Sequence, residues 1–275
     1  MKKLITFLLL LCLLVSPVRS TVVNKPLLGE LPNWSLFPPP VALYVMNEGS
    51  GGITQDLSGN NNTGTFTTLS WTAGQSGSAV KFVDAGYISL AKPSVIDLSQ
   101  FTIVGQLQVV AAHEGMTIYH EYNARMGLQI ERQFDNLHFL ATREYDDTSA
   151  TAESSNYFLA GYSTNLLHYA AVFNDGTWTI YVNGIEDTQN GVVGIGNMVG
   201  KGADVERYDI GTTYYREVTF DGNMDTFSIY NRALGASEIE QLSRDSFPWF
   251  RPSWGFLYGG IPIVTPSGQV IFIMN

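Results

Sequence analysis

The chain has 275 residues, a formal net charge of -10 and one cysteine. An acidic surface repels phosphate backbones and anionic lipids, which argues against nucleic-acid binding. Because Cys12 has no second cysteine to pair with, the fold has to depend on a hydrophobic core and not on disulfides. A chain of this length can bury such a core within one large β domain.

The amino terminus has the layout of a secretory signal peptide. Lys2 and Lys3 precede an apolar run over Leu4–Val15, and Pro17 and the small residue Ser20 follow. The run is shorter than the roughly 20 apolar residues that a membrane-spanning helix needs, so an uncleaved anchor is the weaker alternative. We expect cleavage after Ser20, no membrane span in the mature chain, and a secreted or cell-surface location.

Residues 21–40 form a proline-rich linker or strap. Pro38–Pro40 favours an extended backbone and prevents sheet pairing. Trp34 and Phe37 are the side chains that can dock this segment against a domain. From Val41 onward the pattern changes to short β-type runs separated by turn residues, which marks a domain boundary.

The predicted domain, residues 41–245, is rich in strands. Apolar and polar residues alternate over Phe101–Val109, as expected for a half-buried strand. Asp175-Gly176 separates the runs Leu167–Asn174 and Thr177–Asn183, which predicts a hairpin. Such short runs with glycine-rich turns predict a two-sheet sandwich or jelly roll. Further strands are predicted over Val41–Asn47, Ala79–Val83, Gly86–Leu90, Gly115–Tyr122, Asn136–Thr142 and Phe220–Asn231.

One short helix is predicted over Ala236–Arg244. Gly235 is an acceptable N-cap, and the carboxylate of Glu238 can reach back to the cap amide. Ile239 and Leu242 lie on one side of this helix, so the helix should pack beneath the sandwich after the last long strand.

Several separated segments then resemble a known family in the same order. The chain resembles the laminin-G-like, concanavalin-type jelly rolls of bacterial and phage proteins from about Val41 to Arg244. This resemblance implies an all-β, two-sheet antiparallel jelly-roll sandwich with one short C-terminal helix. Two departures are Gln106, where the family often has Trp, and Thr226, where an acidic residue is usual. The resembling segments are Leu43–Gly64, Phe101–Leu107, Leu167–Gly184, Asp209–Gly211 and Phe220–Leu242.

Catalytic motifs are missing from the sequence. In glycanases of the resembling family the carboxylates stand as Glu-x-Asp-x-x-Glu on one strand, and no such string occurs here. Glu186-Asp187 and Asp146-Asp147 are adjacent, so in a strand their side chains would point to opposite faces. The histidines lack zinc-site spacing, and for His168 the resemblance implies a hydrogen-bonded structural role. We therefore predict that the chain is not an enzyme, with a glycoside hydrolase as a lesser alternative.

A ligand-binding module is better supported, because the chain is rich in aromatic residues: tyrosine rings stack on sugar faces, and nearby polar groups bind hydroxyls. We therefore predict glycan or polysaccharide binding. The alternative is that tyrosines only cover sheet faces, as their β-propensity favours. The predicted ligand contacts are Tyr119, Glu121, Arg125, Tyr145, Tyr214, Tyr215 and Arg216.

A calcium site is predicted between the beginning and the end of the domain. The loop Asp56–Asn62 offers carboxylate, amide and carbonyl oxygens, the ligands that calcium prefers. The resemblance implies that Asp225 contributes to the same site. The predicted ligands are Asp56, Asn60, Asn62 and Asp225, with Glu48 in reserve. An ordinary Asx-type turn is the alternative, since tight turns select the same residue types.

Residues 246–275 form an aromatic C-terminal extension. Aromatic residues are concentrated over Phe247–Tyr258, and a Pro266–Gly268 turn separates Ile261–Val264 from Val270–Met274. A two-stranded ribbon is marginal in water, so it should pack on its own sandwich or on a partner. If the ribbon packs on a partner, we expect self-association or binding to another protein, as in a structural or adhesion domain of a secreted assembly or phage particle.

Overall fold

The computed structural model describes residues 25, 32–33, 37–83, 85–90, 99–110, 115–121, 126–133, 136–145, 148–154, 158–159, 166–192, 208–213, 219–250, 262–264 and 270–272. The predicted signal peptide and Trp34 lie outside these residues. Within these ranges, no helix is long and apolar enough to cross a membrane.

The architecture is a sandwich of two antiparallel sheets, as predicted, and the described residues include one α-helix, α1 (Ala236–Arg244). A 3-10 helix, Pro248–Phe250, follows α1. The helix-side sheet contains β1 (Ala42–Tyr44), β4 (Ser70–Ala73), β5 (Ser78–Phe82), β7 (Gln100–Val109), β13 (Leu167–Asn174), β14 (Thr177–Val182), β15 (Ile185–Glu186) and β18 (Gly222–Tyr230). The opposite sheet contains β2 (Ile53–Thr54), β3 (Gly64–Thr67), β6 (Tyr87–Leu90), β8 (Gly115–Glu121), β9 (Met126–Gln133), β10 (Asn136–Tyr145), β11 (Thr148–Ser154), β12 (Phe158–Leu159), β16 (Thr188–Val192) and β17 (Tyr208–Ile210).

The strand order brings the beginning and end of the domain together. The helix-side sheet runs β15-β14-β13-β7-β18-β5-β4, and β1 pairs with β18. The opposite sheet runs β16-β11-β10-β9-β8-β17-β6-β3-β2, and β12 pairs with β10. The main core lies between the sheets, where the ring of Phe101 stacks on Phe173 at 5.2 Å and meets Trp178 edge-on at 5.3 Å.

Strand β7 differs from the half-buried strand that its alternation predicted. Nearly all of its residues are buried on both faces. Ile103 faces the core between the sheets, whereas Val104 belongs to a second apolar cluster with Ile239 and Leu242 of α1. The helix and the segment after it cover the outer face, which the alternation of one strand cannot reveal.

The local turn and cap predictions are confirmed. Asp175 and Gly176 both have positive φ, at 46° and 92°, as the tight hairpin between β13 and β14 requires. At the start of α1, the Gly235 amide donates to Glu238 Oε2 at 2.9 Å. The helix begins at Ala236, the predicted residue.

Segments on both sides of the predicted domain pack against it. Phe37 is buried, and its ring meets Trp249 edge-on at 5.9 Å and Tyr230 at 6.4 Å. The amide of Asn33 donates to the Trp249 carbonyl at 2.7 Å. The packed domain therefore continues past residue 245. Farther on, β19 (Pro262–Val264) and β20 (Val270–Phe272) pair as the predicted ribbon.

Candidate ligand-binding cleft

The outer face of the helix-side sheet changes from apolar to polar along two central strands. Strands β7 and β18 are antiparallel neighbours, and most residues on β18 lie opposite a partner on β7. At one end the partners lie beneath the helix and its flanking aromatic residues, and at the other end they carry amide side chains. The successive pairs are Thr102 with Tyr230, Val104 with Ser228, Gln106 with Thr226, and Gln108 with Asn223.

The apolar end is covered by other parts of the chain, and we call it the closed half. Its members are buried and include residues from the strap, β1, the central strands, α1 and the 3-10 helix. This part of the sheet is therefore not accessible to a ligand. The closed half consists of Phe37, Leu43, Val45, Val104, Ala170, Val172, Tyr181, Tyr230, Leu234, Ile239, Leu242, Phe247 and Trp249.

The polar end opens into a cleft of about 550 Å³. Across its floor, Asn223 Nδ2 donates to Gln108 Oε1 at 2.9 Å. The Oδ1 atom of Asn223 is buried and has no hydrogen-bond partner among the described residues. A ligand hydroxyl could donate to this oxygen. The cleft is lined by Ala73, Gly74, Gln75, Ala79, Gln108, Leu166, Leu167, Asn183, Asn223 and Asp225.

A β-bulge directs Asp225 toward this region. The register between β18 and β7 shifts between Met224 and Thr226, so Asp225 is the additional residue. Its Oδ1 accepts from the Gln75 amide at 3.2 Å and lies 3.3 Å from Lys25 Nζ. Burial raises the pKa of Asp225, and the nearby Lys25 ammonium opposes that increase.

Two of the predicted ligand contacts are instead core residues. Tyr119 and Glu121 lie on β8 and are fully buried, and the tyrosine hydroxyl donates to Glu121 Oε1 at 2.7 Å. Burial, followed by the adjacent carboxylate, raises the pKa of Tyr119. The prediction that these two side chains contact a ligand is therefore corrected, because neither reaches the surface.

The other predicted contacts stay predictions. Tyr145 is the last residue of β10 and pairs with Thr148. Arg125, Tyr214, Tyr215 and Arg216 lie outside the described residues.

The four predicted calcium ligands are divided between two environments. Asp56 Oδ1 accepts from the amides of Leu43 and Ser58 at 3.0 and 2.9 Å, and Oδ2 accepts from the Asn62 amide at 3.0 Å. The bond to Ser58 forms an Asx-type turn. The side-chain amides of Asn60 and Asn62 donate to the Val41 carbonyl at 2.9 and 3.2 Å.

These loop contacts do not include Asp225, whose carboxylate is paired with Lys25. In the described parts of the chain, no group of three or more His, Cys, Asp or Glu residues is placed to hold a metal. The structure thus does not assemble the predicted ligand set. Calcium binding by this protein stays a prediction.

The sequence pattern does not identify the residues of the cleft. Gln106 and Gln108 mark the polar face of β7, but alternation does not distinguish a ligand-binding face from an ordinary solvated one.

His168 lies opposite Gln106 and does not have the hydrogen-bonded side chain that the resemblance implied. Both of its ring nitrogens lack hydrogen-bond partners among the described residues. Burial lowers the pKa of His168 to about 4.

Comparison with known families assigns the chain. A laminin-G-like family model, described as the "Concanavalin A-like lectin/glucanases superfamily", matches residues 82–240, which is more than half of the chain. The chain belongs to this superfamily. A comparison with curated protein sequences found no match.

Solved structures share the fold at low sequence identity. Domain 4 of AbnA, an extracellular arabinanase from Geobacillus stearothermophilus solved with arabinotriose, is 18% identical with a TM-score of 0.51, covering 74% of this chain and 98% of that one. The binding domain of Botulinum Neurotoxin DC in complex with SialylT is 14% identical, with a TM-score of 0.52, and the match covers 74% of this chain and 50% of that one. Trypanosoma rangeli sialidase in complex with the inhibitor DANA is 14% identical, with a TM-score of 0.53, and the match covers 74% of this chain and 32% of that one.

Proposed function

We propose that this protein is a secreted, non-catalytic module that binds a glycan or polysaccharide in the cleft of the helix-side sheet. The observation that carries the proposal is the amide pair of Gln108 and Asn223, with the Asn223 Oδ1 atom buried beside the cleft and without a partner among the described residues. Sugar hydroxyls both donate and accept hydrogen bonds, so side-chain amides held in one orientation suit them.

The similar solved structures support this choice of ligand. The arabinanase domain was solved with arabinotriose and the toxin domain with SialylT. A shared fold does not transfer a ligand by itself, so the cleft residues have to account for binding in this chain. The signal peptide predicted over residues 1–20 and the lack of a cysteine after Cys12 support secretion without disulfides.

The cleft does not have the carboxylates of a glycoside hydrolase. That reaction needs two carboxyl groups about 5 to 9 Å apart on either side of one bond. Among the described residues that line the cleft, Asp225 is the only carboxylate, and it is paired with Lys25. A carboxylate held in an ion pair is a poor proton donor, which favours binding over hydrolysis.

A glycan array tests this function directly. Residues 21–275, labelled and applied to arrayed glycans, should bind a subset with micromolar affinity, which corresponds to about 8 kcal/mol. Analysis of the bound polymers should detect no shortened products. Failure to bind any arrayed glycan would contradict the proposal, and release of shorter sugars would show that the protein is a hydrolase.

A second candidate function is attachment to a protein partner in a secreted assembly or phage particle. Among the described strands, β19 and β20 pair only with each other. Because Phe247 and Trp249 belong to the closed half, a truncation that tests the extension should end after Phe250 and not before Ser246. Sedimentation should then show reduced self-association. An unchanged oligomeric state and unchanged stability would remove this candidate.

A further inference from the structure

The ammonium group of Lys25 lies inside a small cage of oxygen atoms. Its Nζ donates to the carbonyl of Met46 at 3.3 Å and to the carbonyl of Ser78, and it lies 3.3 Å from Asp225 Oδ1. The side chains of Lys25 and Asp225 are only 1% and 2% exposed. The ion pair is therefore enclosed by protein and not by solvent.

The number of acceptors matches the charged form of the lysine. An ammonium group has three N–H donors and no acceptor, and the cage supplies one carboxylate and two carbonyl oxygens. Burial lowers the pKa of the Lys25 ammonium, and the charges of Asp225 and Glu48 oppose that decrease. The Oε1 atom of Glu48 accepts from the Gln55 amide at 2.7 Å, while Oε2 is buried without a hydrogen-bond partner among the described residues.

Carboxylate and carbonyl oxygens are also the ligands that calcium prefers. The calcium site expected from Asp56, Asn60, Asn62 and Asp225 does not fit this structure, because Asp56 accepts three backbone amides and Asp225 faces Lys25. We propose that the Lys25 ammonium is the resident cation of the cage at Asp225, so that the jelly roll is held together without a divalent metal there.

This arrangement ties the strap to the domain. The backbone amide of Lys25 also donates to Ser76 Oγ at 3.2 Å. Ser76 lies in the turn between β4 and β5, and Asp225 lies on β18. The lysine thus connects the beginning of the chain to the edge and the centre of the helix-side sheet.

The test is a set of thermal unfolding measurements on protein stripped of metal. The melting temperature of the wild type should change by less than about 1 °C on adding calcium or a chelator, since the cation position is filled. Lys25→Met keeps an aliphatic side chain but leaves Asp225 as an unpaired buried charge, and its melting temperature should fall by about 10 °C. Calcium should restore much of that loss in the variant.

Two controls keep the test decisive. Lys81→Met removes a lysine from an exposed position of β5 and should leave the melting temperature nearly unchanged. If Lys25→Met is too unstable to study, Lys25→Met combined with Asp225→Asn removes both charges and should unfold closer to the wild type.

Three results would overturn the proposal. Calcium could raise the melting temperature of the wild type, which would show that a metal competes for the cage. Lys25→Met could match Lys81→Met in stability. Finally, Lys25→Met could be destabilised yet fail to respond to calcium, which would make Lys25 an ion-pair partner and not a substitute for a metal ion.

Discussion

The closed half and the cleft are two ends of the same sheet face, yet their surroundings are opposite. At the closed half, Val104 and Tyr230 lie beneath an apolar cover that includes Trp249. Two outward-facing residue pairs beyond Val104 on the same strands, Gln108 and Asn223 line an open cleft. Both ends share the apolar core on the inner face of the sheet.

This difference shows how a common sandwich can present a site without loss of stability. The inner face supplies the core along the full length of β7 and β18, so the outer face can be apolar at one end and polar at the other. Side chains that project from central strands are held more rigidly than side chains on loops. The closed half should therefore determine stability, and the cleft should determine binding.

Truncating Trp249 should have the largest effect. Trp249→Ala removes a side chain that is 1% exposed, and loss of its contacts with Phe37 should destabilise the fold by about 3 to 5 kcal/mol. Urea unfolding measures this loss. Glycan affinity at a temperature where the variant is folded should be unchanged. A large loss of affinity in folded protein would contradict the separation of the two halves.

Acid should weaken the fold through His168, which lies between the two halves. Burial lowers the pKa of His168 from 6.5 to about 4, so between these values the unfolded chain binds a proton that the folded chain does not. Stability should fall as the pH decreases through this window, by about 3 kcal/mol in total. Urea unfolding across the window should show a smaller decrease for His168→Phe. Equal decreases in both proteins would exclude His168 as the cause.

A methyl group at Gly74 should disturb the cleft with a moderate effect. A Cβ atom there would lie 2.2 Å from Asp225 Oδ1 and 2.8 Å from the Ser78 carbonyl. We expect Gly74→Ala to cost about 2 kcal/mol of stability, measured by chemical unfolding. Gly52→Ala is the matched control, since nothing lies within 4 Å of its added Cβ. Similar stability of the two variants would contradict the tight packing around Asp225.

The smallest effect is expected at the start of α1, at the margin of the closed half. Glu238 accepts from Arg232 at 2.9 and 2.7 Å and from the Gly235 amide. Glu238→Gln should cost about 1 kcal/mol, because both charged side chains are partly exposed to solvent. The Arg232 hydrogen bonds lower the pKa of Glu238 from 4.5, so its contribution is present above that pH and is lost as the pH falls through the lower value. Thermal unfolding at several pH values should show the variant converging with the wild type in acid.

Local signals in the sequence were sufficient for several strands, for the β13–β14 turn and for the helix, whereas strands such as β3, β4, β9 and β11 were not predicted. Asp175-Gly176 and the Gly235–Glu238 cap are each determined by residues close in sequence, and both occur as predicted. The cover over β7 was not predictable in this way. It is formed by α1 and by Trp249, which come more than a hundred residues later in the chain.

The site predictions depended on which residue types lie close together in the sequence, and burial cannot be read from such a cluster. Tyr119 and Glu121 were chosen because tyrosines and polar residues cluster there, yet both side chains are buried. For Asp225, a β-bulge directs the carboxylate toward Lys25. A bulge depends on pairing with a neighbouring strand, and this information is not present in the strand's own sequence.

The proposed function depends most directly on the location of the glycan site. Calorimetric titration of a glycan identified on the array should compare the wild type with two variants, Gln108→Ala combined with Asn223→Ala, and Tyr214→Ala combined with Tyr215→Ala. We predict that the cleft variant binds at least about tenfold more weakly, because it loses two hydrogen-bonding amides, while the tyrosine variant tests whether Tyr214 and Tyr215 also contact the glycan. Unchanged affinity in a folded cleft variant, with a large loss in the tyrosine variant, would contradict binding in the cleft.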